Sequence, residues 1–148
     1  MPCDYEYFCR LQEASGGLIR LVDIAPEEPG AMEFIDRVKG KVVVSLAHTA
    51  ADYETAKEAI EHGASHATHL YNAMPPLNHR NPGVIGAVRD AGDCHAELIC
   101  DGVHVHPAVI RATFPSAVSR STSGTSLYVF KMYRCHQDAE LLHSSLET

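Results

Sequence analysis

Four short β-branched or apolar runs recur at nearly even spacing, and this recurrence limits the fold more than any other feature of the chain. The runs are Leu18–Ile24, Lys41–Ala47, Ser65–Leu70 and His95–Cys100, and each is followed by a loop and then a helical pattern. Their starts lie 23, 24 and 30 residues apart. Strands alternating with helices at that interval pair in parallel through right-handed crossovers, so the class is α/β. The interval is close to the ~31 residues per unit of a (β/α)₈ barrel, which needs about 250 residues in all. With 148 residues the chain holds only part of one, about four βα units.

Several helix ends are legible. In Ala31–Lys39 the apolar Met32, Ile35 and Val38 recur on one face, and Gly40 stops the run. Thr49 and Asp52 give a T-x-x-D start to the helix ending at Gly63, and Pro107 suits the first turn of a helix running to Phe114. Beyond Phe114 the texture changes to a Ser/Thr-rich stretch without periodicity, with a weak helical pattern of Ala139, Leu142 and Leu146 near the end. Residues 1–114 are therefore taken as the barrel part and 115–148 as a tail of separate character.

Composition narrows the partners. Twelve basic against 19 acidic residues give a net charge of −7, which argues against nucleic acid or an anionic membrane. No run approaches the roughly 18 apolar residues of a membrane span, and the first ten residues lack a signal peptide's basic-then-apolar order. Cys3, Cys9, Cys94, Cys100 and Cys135 are odd in number and nowhere spaced C-x-x-C, so they are expected to be reduced thiols in a cytoplasmic protein.

Eight of the ten histidines fall between His48 and His106. Three follow successive predicted strands: His48 after KVVVSLA, His69 at the end of SHATHL, and His104 past HAELICDGV. In α/β barrels the C-terminal strand ends build the active site, so these three are expected to converge on one pocket. Imidazole is also the commonest protein ligand of zinc and similar metals. For His48 and His69 a metal or acid–base role stands beside a structural one. His62, at a helix end where the dipole favours an imidazolium, is read as structural, as are His66, His79, His95 and His106. The run Thr68–Gly83, THLYNAMPPLNHRNPG, places the backbone of Asn72 and Ala73 just past a strand, where free N–H groups can cradle an anion, with Arg80 able to add a bidentate contact. On its own it reads more readily as a structured loop with a solvated arginine.

These strings carry a resemblance. AHTAADYETAKEAIEHGASHATHLYNAMPPLNHRNPGVIGA and ELICDGVHVHPAVIRATF, with Ala25-Pro26-Glu27 upstream, resemble the N-acetylglucosamine-6-phosphate deacetylase family of the amidohydrolase superfamily, from about Gly17 to Phe114. The resemblance implies barrel strands four to seven of eight. It implies His48 and His69 as ligands of a divalent metal, zinc by expectation, and His104 as a substrate contact near the acetamido carbonyl. Asn72 and Ala73 match a phosphate-binding backbone, and Arg80 matches an arginine lent to that phosphate by a neighbouring subunit, so a homodimer or higher assembly is expected. The implied reaction is hydrolysis of the N-acetyl group of N-acetylglucosamine 6-phosphate to glucosamine 6-phosphate and acetate.

Two family elements have no counterpart here. The carboxylate ligand in an H-L-E-G-P string is missing, and Glu27 and Glu28 follow a different strand. The general-base Asp of an S-D or T-D string is missing too, because STSGTSLYVFKMYRC holds none and Asp138 stands in HQDAE. No catalytic residue is therefore assigned, and the chain is expected to be a truncated or frameshifted, impaired form. The alternative from another class is a non-catalytic remnant that binds sugar phosphate or assembles with a partner chain. A deaminase or cyclic-amide hydrolase fits less well, since neither needs the THLYNAM loop with Arg80. Half a barrel is further expected to expose open strand edges and an apolar inner face.

Overall fold

A computed structural model describes residues 3–113 and the backbone pairing of 127–131. The order is α1 (Tyr5–Ala14), β1 (Leu21–Ile24), α2 (Ala31–Val38), β2 (Val43–Leu46), α3 (Tyr53–His62), β3 (His66–Ala67), α4 (Gly83–Ala91), β4 (His95–Ile99), α5 (Pro107–Thr113) and β5 (Leu127–Lys131). The sheet runs β1-β2-β3-β4-β5, and β1 to β4 are parallel in sequential order. These are four consecutive βα units of the barrel-building kind, as the spacing predicts.

Register assigns the two faces. Ile24, Leu46, Ala67 and Ala96 are successive partners across the sheet and are all buried. They pack under the apolar stripes of α2 (Phe34, Ile35, Val38), α3 (Ala56, Ala59) and α4 (Val84, Ile85, Val88), which form one core with them. Each fully buried Ile or Val there contributes about 1.5–3 kcal/mol by leaving water. Outside this layer α1 adds Phe8, whose ring meets Phe34 edge-on at 5.7 Å between centroids.

The opposite face departs from expectation. Its partners one residue earlier are Asp23, Ser45, His66 and His95, a polar row. Only toward the strand starts is it apolar and open, where the register partners Leu21 and Val43 are 38% and 40% exposed. On β1 and β2 the inner face is thus apolar at the strand starts and polar beyond them.

Three other expectations change in detail. The strand foreseen over Ser65–Leu70 is only His66–Ala67, because the chain turns from Thr68 onward. The cap of α3 is Asp52, whose side chain accepts the Thr55 N–H at 2.9 Å, while Thr49 is committed elsewhere. Within the segment taken as an unmatched tail, β5 pairs antiparallel with β4 from Ile99↔Leu127 to His95↔Lys131. Sequence gave no sign of that pairing, since a strand's partner is a long-range choice. The weak helical pattern around Leu142 lies outside the described residues.

Candidate metal centre at the strand ends

His48 and His69 each stand just past a parallel strand, and both have left-handed backbone, with φ of 47° and 39°. Tyr71 (φ 77°) and Ala73 (φ 49°) complete the set of non-glycine residues with positive φ among the described residues, so all four lie in the segments after β2 and β3. Each costs on the order of 1–3 kcal/mol, and such strain persists only where the surroundings over-determine it. Here they do. The Ala47 N–H donates to the Ile24 carbonyl at 3.1 Å, Thr49 N–H to Ala73 O at 3.0 Å, Asn72 N–H to His69 O at 2.9 Å, and Leu70 N–H to Glu97 O at 2.7 Å.

The strained turns aim two imidazoles at one point. His48 Nε2 and His69 Nε2 are 3.0 Å apart, with ring centroids at 4.7 Å and planes at 74°. Two nitrogens bound to one tetrahedral zinc at ~2.0–2.1 Å lie roughly 3.3 Å apart, so the pair fits the donor spacing of a single cation. If both Nε2 lone pairs serve a cation, each ring carries its proton on Nδ1. His69 Nδ1 is buried with no hydrogen-bond partner, an orphaned group that costs about 1–3 kcal/mol. No group of three His, Cys, Asp or Glu side chains converges on a metal position among the described residues. The pair therefore offers two donors.

His104 is not joined to this pair. Asp101 takes its Nδ1–H at 2.7 Å and, through Oδ1, the N–H groups of Val103 and His104 at 2.8 Å each. Those bonds hold the Asp101 carboxyl down to about 2. An ionised Asp101 fixes the proton on Nδ1 and leaves His104 Nε2 facing outward as acceptor. Asp101 was missed at sequence level, although D-x-x-H in DGVHV is the spacing of an aspartate that bonds its own turn.

The anion-cradle expectation is corrected in part. Asn72 spends its N–H inside the turn on His69 O, and Ala73 offers its carbonyl to Thr49. Ala73 and Arg80 are exposed on that loop, and Asn78 braces it by accepting the Arg80 N–H at 3.0 Å. His62 Nδ1 lies 2.9 Å from Asp36 Oδ1, a contact that ties α3 to α2.

Beneath the histidine pair the polar row forms a connected chain. Thr68 donates to Asp23 at 2.7 Å, Ser45 Oγ lies 2.8 Å from Thr68 Oγ1, and His66 Nδ1 lies 2.8 Å from Ser45 Oγ. An ionised carboxylate only accepts, so Asp23 polarises the sequence: His66 donates to Ser45, Ser45 to Thr68, and Thr68 to Asp23. His66 Nε2 then faces Glu97 Oε1 at 3.7 Å. Burial pushes the His66 imidazole below its ordinary value, with His95 adding to the effect, and burial pushes the Glu97 carboxyl up, with Asp23 adding. Both shifts run against a charged pair at this distance. A histidine with a lowered folded pKa binds its proton more readily when unfolded, so its contribution is present above the ordinary imidazole value and lost as pH falls below it. The His66 contribution to the urea midpoint is therefore expected to be lost between about pH 7 and 5, opposed by Glu97, whose raised carboxyl adds stability as pH falls, and His66→Asn should change that slope. An unchanged slope would show that His66 does not govern it.

The four cysteines among the described residues are free, and burial lifts Cys94 to about 12, so its thiol is inert at neutral pH. No described helix is long and apolar enough to cross a membrane.

No protein-family profile matches the chain. Individual proteins do. An N-acetylglucosamine-6-phosphate deacetylase of Bacillus subtilis is 45% identical over 114 residues, 76% of this chain and 29% of the relative. An N-acetylgalactosamine-6-phosphate deacetylase of a Shewanella species is 43% identical over 89 residues, 60% of this chain and 23% of the relative. Among solved structures, N-acetyl-D-glucosamine-6-phosphate deacetylase of Mycobacterium smegmatis superposes with a TM-score of 0.71 at 40% identity, covering 74% of this chain and 31% of the other. The chain spans less than a third of the length of each of these three relatives. In sequence and in fold alike, it is a part-length relative of the N-acetylglucosamine-6-phosphate deacetylases.

Proposed function

We propose that this chain carries the histidine pair and the phosphate-contacting loop of a metal-dependent deacetylase acting on 6-phosphorylated N-acetyl amino sugars. The observation that supports it best is the convergence of His48 and His69, 3.0 Å apart on strained turns of adjacent parallel strands, in a chain whose relatives bear that enzyme's name. His48 and His69 would hold the divalent metal, with zinc the choice for imidazole donors. Such a metal activates water and polarises an amide carbonyl when bound.

The chain's own residues bind and orient. His104, its tautomer set by Asp101, turns Nε2 toward solvent, where it can contact the substrate beside its acetamido group. The exposed Ala73 turn together with Arg80 faces the 6-phosphate, with Asn72 holding that turn through its bond to His69, and Arg80 serves the site of a second copy in a homodimer. The relatives' names include both the glucosamine and the galactosamine sugar, and a mutant of the Mycobacterium smegmatis enzyme was solved with N-acetyl-D-glucosamine-6-phosphate. The substrate class is accordingly the 6-phospho-N-acetylhexosamine, in the cytoplasm where sugar phosphates occur.

A second reading, a remnant that binds sugar phosphate without turning it over, draws support from the absence of a third metal-ligating side chain beside the pair among the described residues. One titration addresses the binding shared by both readings. Arg80→Ala is expected to weaken N-acetylglucosamine 6-phosphate binding by roughly 10–100-fold, the worth of one charge-assisted bond pair, and to leave unphosphorylated N-acetylglucosamine unaffected. Equal loss for both sugars would remove Arg80 from the phosphate site.

A further inference from the structure

Glu27 is an exposed carboxylate that no sequence argument selects as a ligand, yet it is tied to the histidine site. It sits in a tight turn after β1, where the Glu28 N–H closes on the Ala25 carbonyl at 3.1 Å and buried Pro26 fixes the backbone. From there both carboxylate oxygens reach the loop after β2. Oε2 accepts the Thr49 hydroxyl and Oε1 accepts the Ala50 N–H. Thr49 itself is 5% exposed. Its oxygen accepts the Ala51 N–H at 2.9 Å, and its own N–H donates to Ala73 at 3.0 Å. The residue next to His48 is thus held from one side by the β1 turn and from the other by the loop after β3.

We propose that Glu27 is a positioning residue that, through Thr49 and Ala50, holds His48 in its left-handed turn against His69. A carboxylate suits this task because charge-assisted bonds are roughly twice as strong as neutral ones. With one oxygen on a hydroxyl and the other on an N–H, Glu27 acts as a brace on the loop and leaves the cation to the histidines. The chain thereby couples three strand ends to the placement of one imidazole. The inference deepens the metal-pair reading and rests on it for its consequence, but the geometry it asserts is measurable without metal.

The test uses the full 148-residue chain, zinc-free, with nitrogen-15 label. In the native chain a ring-to-ring NOE between His48 and His69 and slow exchange of the Ala50 amide are expected. Glu27→Ala and Thr49→Val should abolish both while the Ala59 amide on α3 stays protected, and Thr49→Ser should retain them. A zinc titration against a chelating dye should then show affinity about tenfold lower in Glu27→Ala, the lower end for losing an outer partner of a ligand, with a smaller loss in Glu27→Gln. If Glu27→Ala also loses Ala59 protection, Glu27→Gln decides in its place, since it keeps one acceptor and should show a weakened NOE. Retention of the His48–His69 NOE and of Ala50 protection in Glu27→Ala would overturn the proposal. Zinc affinity equal in the native chain and in His48→Ala would instead overturn the metal reading, with the ring and amide signals still deciding Glu27.

Discussion

His48→Ala or His69→Ala is expected to remove the zinc that the chain binds, whereas His62→Ala leaves it intact. The magnitude follows from what each ring supplies. Two Nε2 atoms 3.0 Å apart are the donors the strand ends bring together, so deleting either leaves one imidazole. Losing an outer partner of a ligand already costs roughly 10–100-fold in affinity, and losing the ligand itself should exceed that. His62 makes the discriminating control because it is an imidazole of the same chain that is bonded to a carboxylate, Asp36 at 2.9 Å, and lies on the helix side. Metal analysis of the three purified variants checks this, and equal zinc in all three would sink the assignment. The sheet supplies a reason to expect both single variants to fold, since neither His48 nor His69 belongs to the core.

No acetate release from N-acetylglucosamine 6-phosphate above a metal-free control is expected from the purified chain. Attack by water requires a base, and departure of the amine requires an acid; a positioned group for this work contributes about 10²–10⁴-fold. The family's aspartate for that task has no match in STSGTSLYVFKMYRC, and no third acidic, thiol or imidazole side chain joins His48 and His69 among the described residues. His104 is the remaining candidate, but its Nδ1 is committed to Asp101 at 2.7 Å and it stands apart from the pair. Binding should outlast chemistry, because Arg80 and the Ala73 turn are present and exposed. Robust acetate release that His69→Ala abolishes would show this expectation wrong and would place a complete active centre on this chain.

Legibility differed sharply between features. The β1 to β4 recurrence, the parallel order and the helix stripes could be read directly, because burial of one sheet face and one helix stripe imposes a period that the residue types must follow. Met32, Ile35 and Val38 mark α2 whatever surrounds it. His48 and His69 could be placed at strand ends by counting, and their meeting follows from the register of adjacent parallel strands. The antiparallel β5, by contrast, depends on which edge happens to lie open to Leu127–Lys131, and no local pattern encodes a partner. The Asp23–Thr68–Ser45–His66 chain was equally invisible, since its members come from three strands and are polar residues of kinds that loops also use.

By itself, then, the sequence determined the α/β class, the strand order and the residues available at the loop-bearing end. Tertiary structure decided which of them act together. It brought His48 to His69 and left His104 with Asp101, it turned Asn72's N–H inward, and it put Glu27 on Thr49 across 22 positions of sequence. The physical reason is one of range. Hydrophobic periodicity is a local signal repeated many times, whereas a hydrogen bond between loops is a single long-range event fixed by where the packed strands deliver their ends.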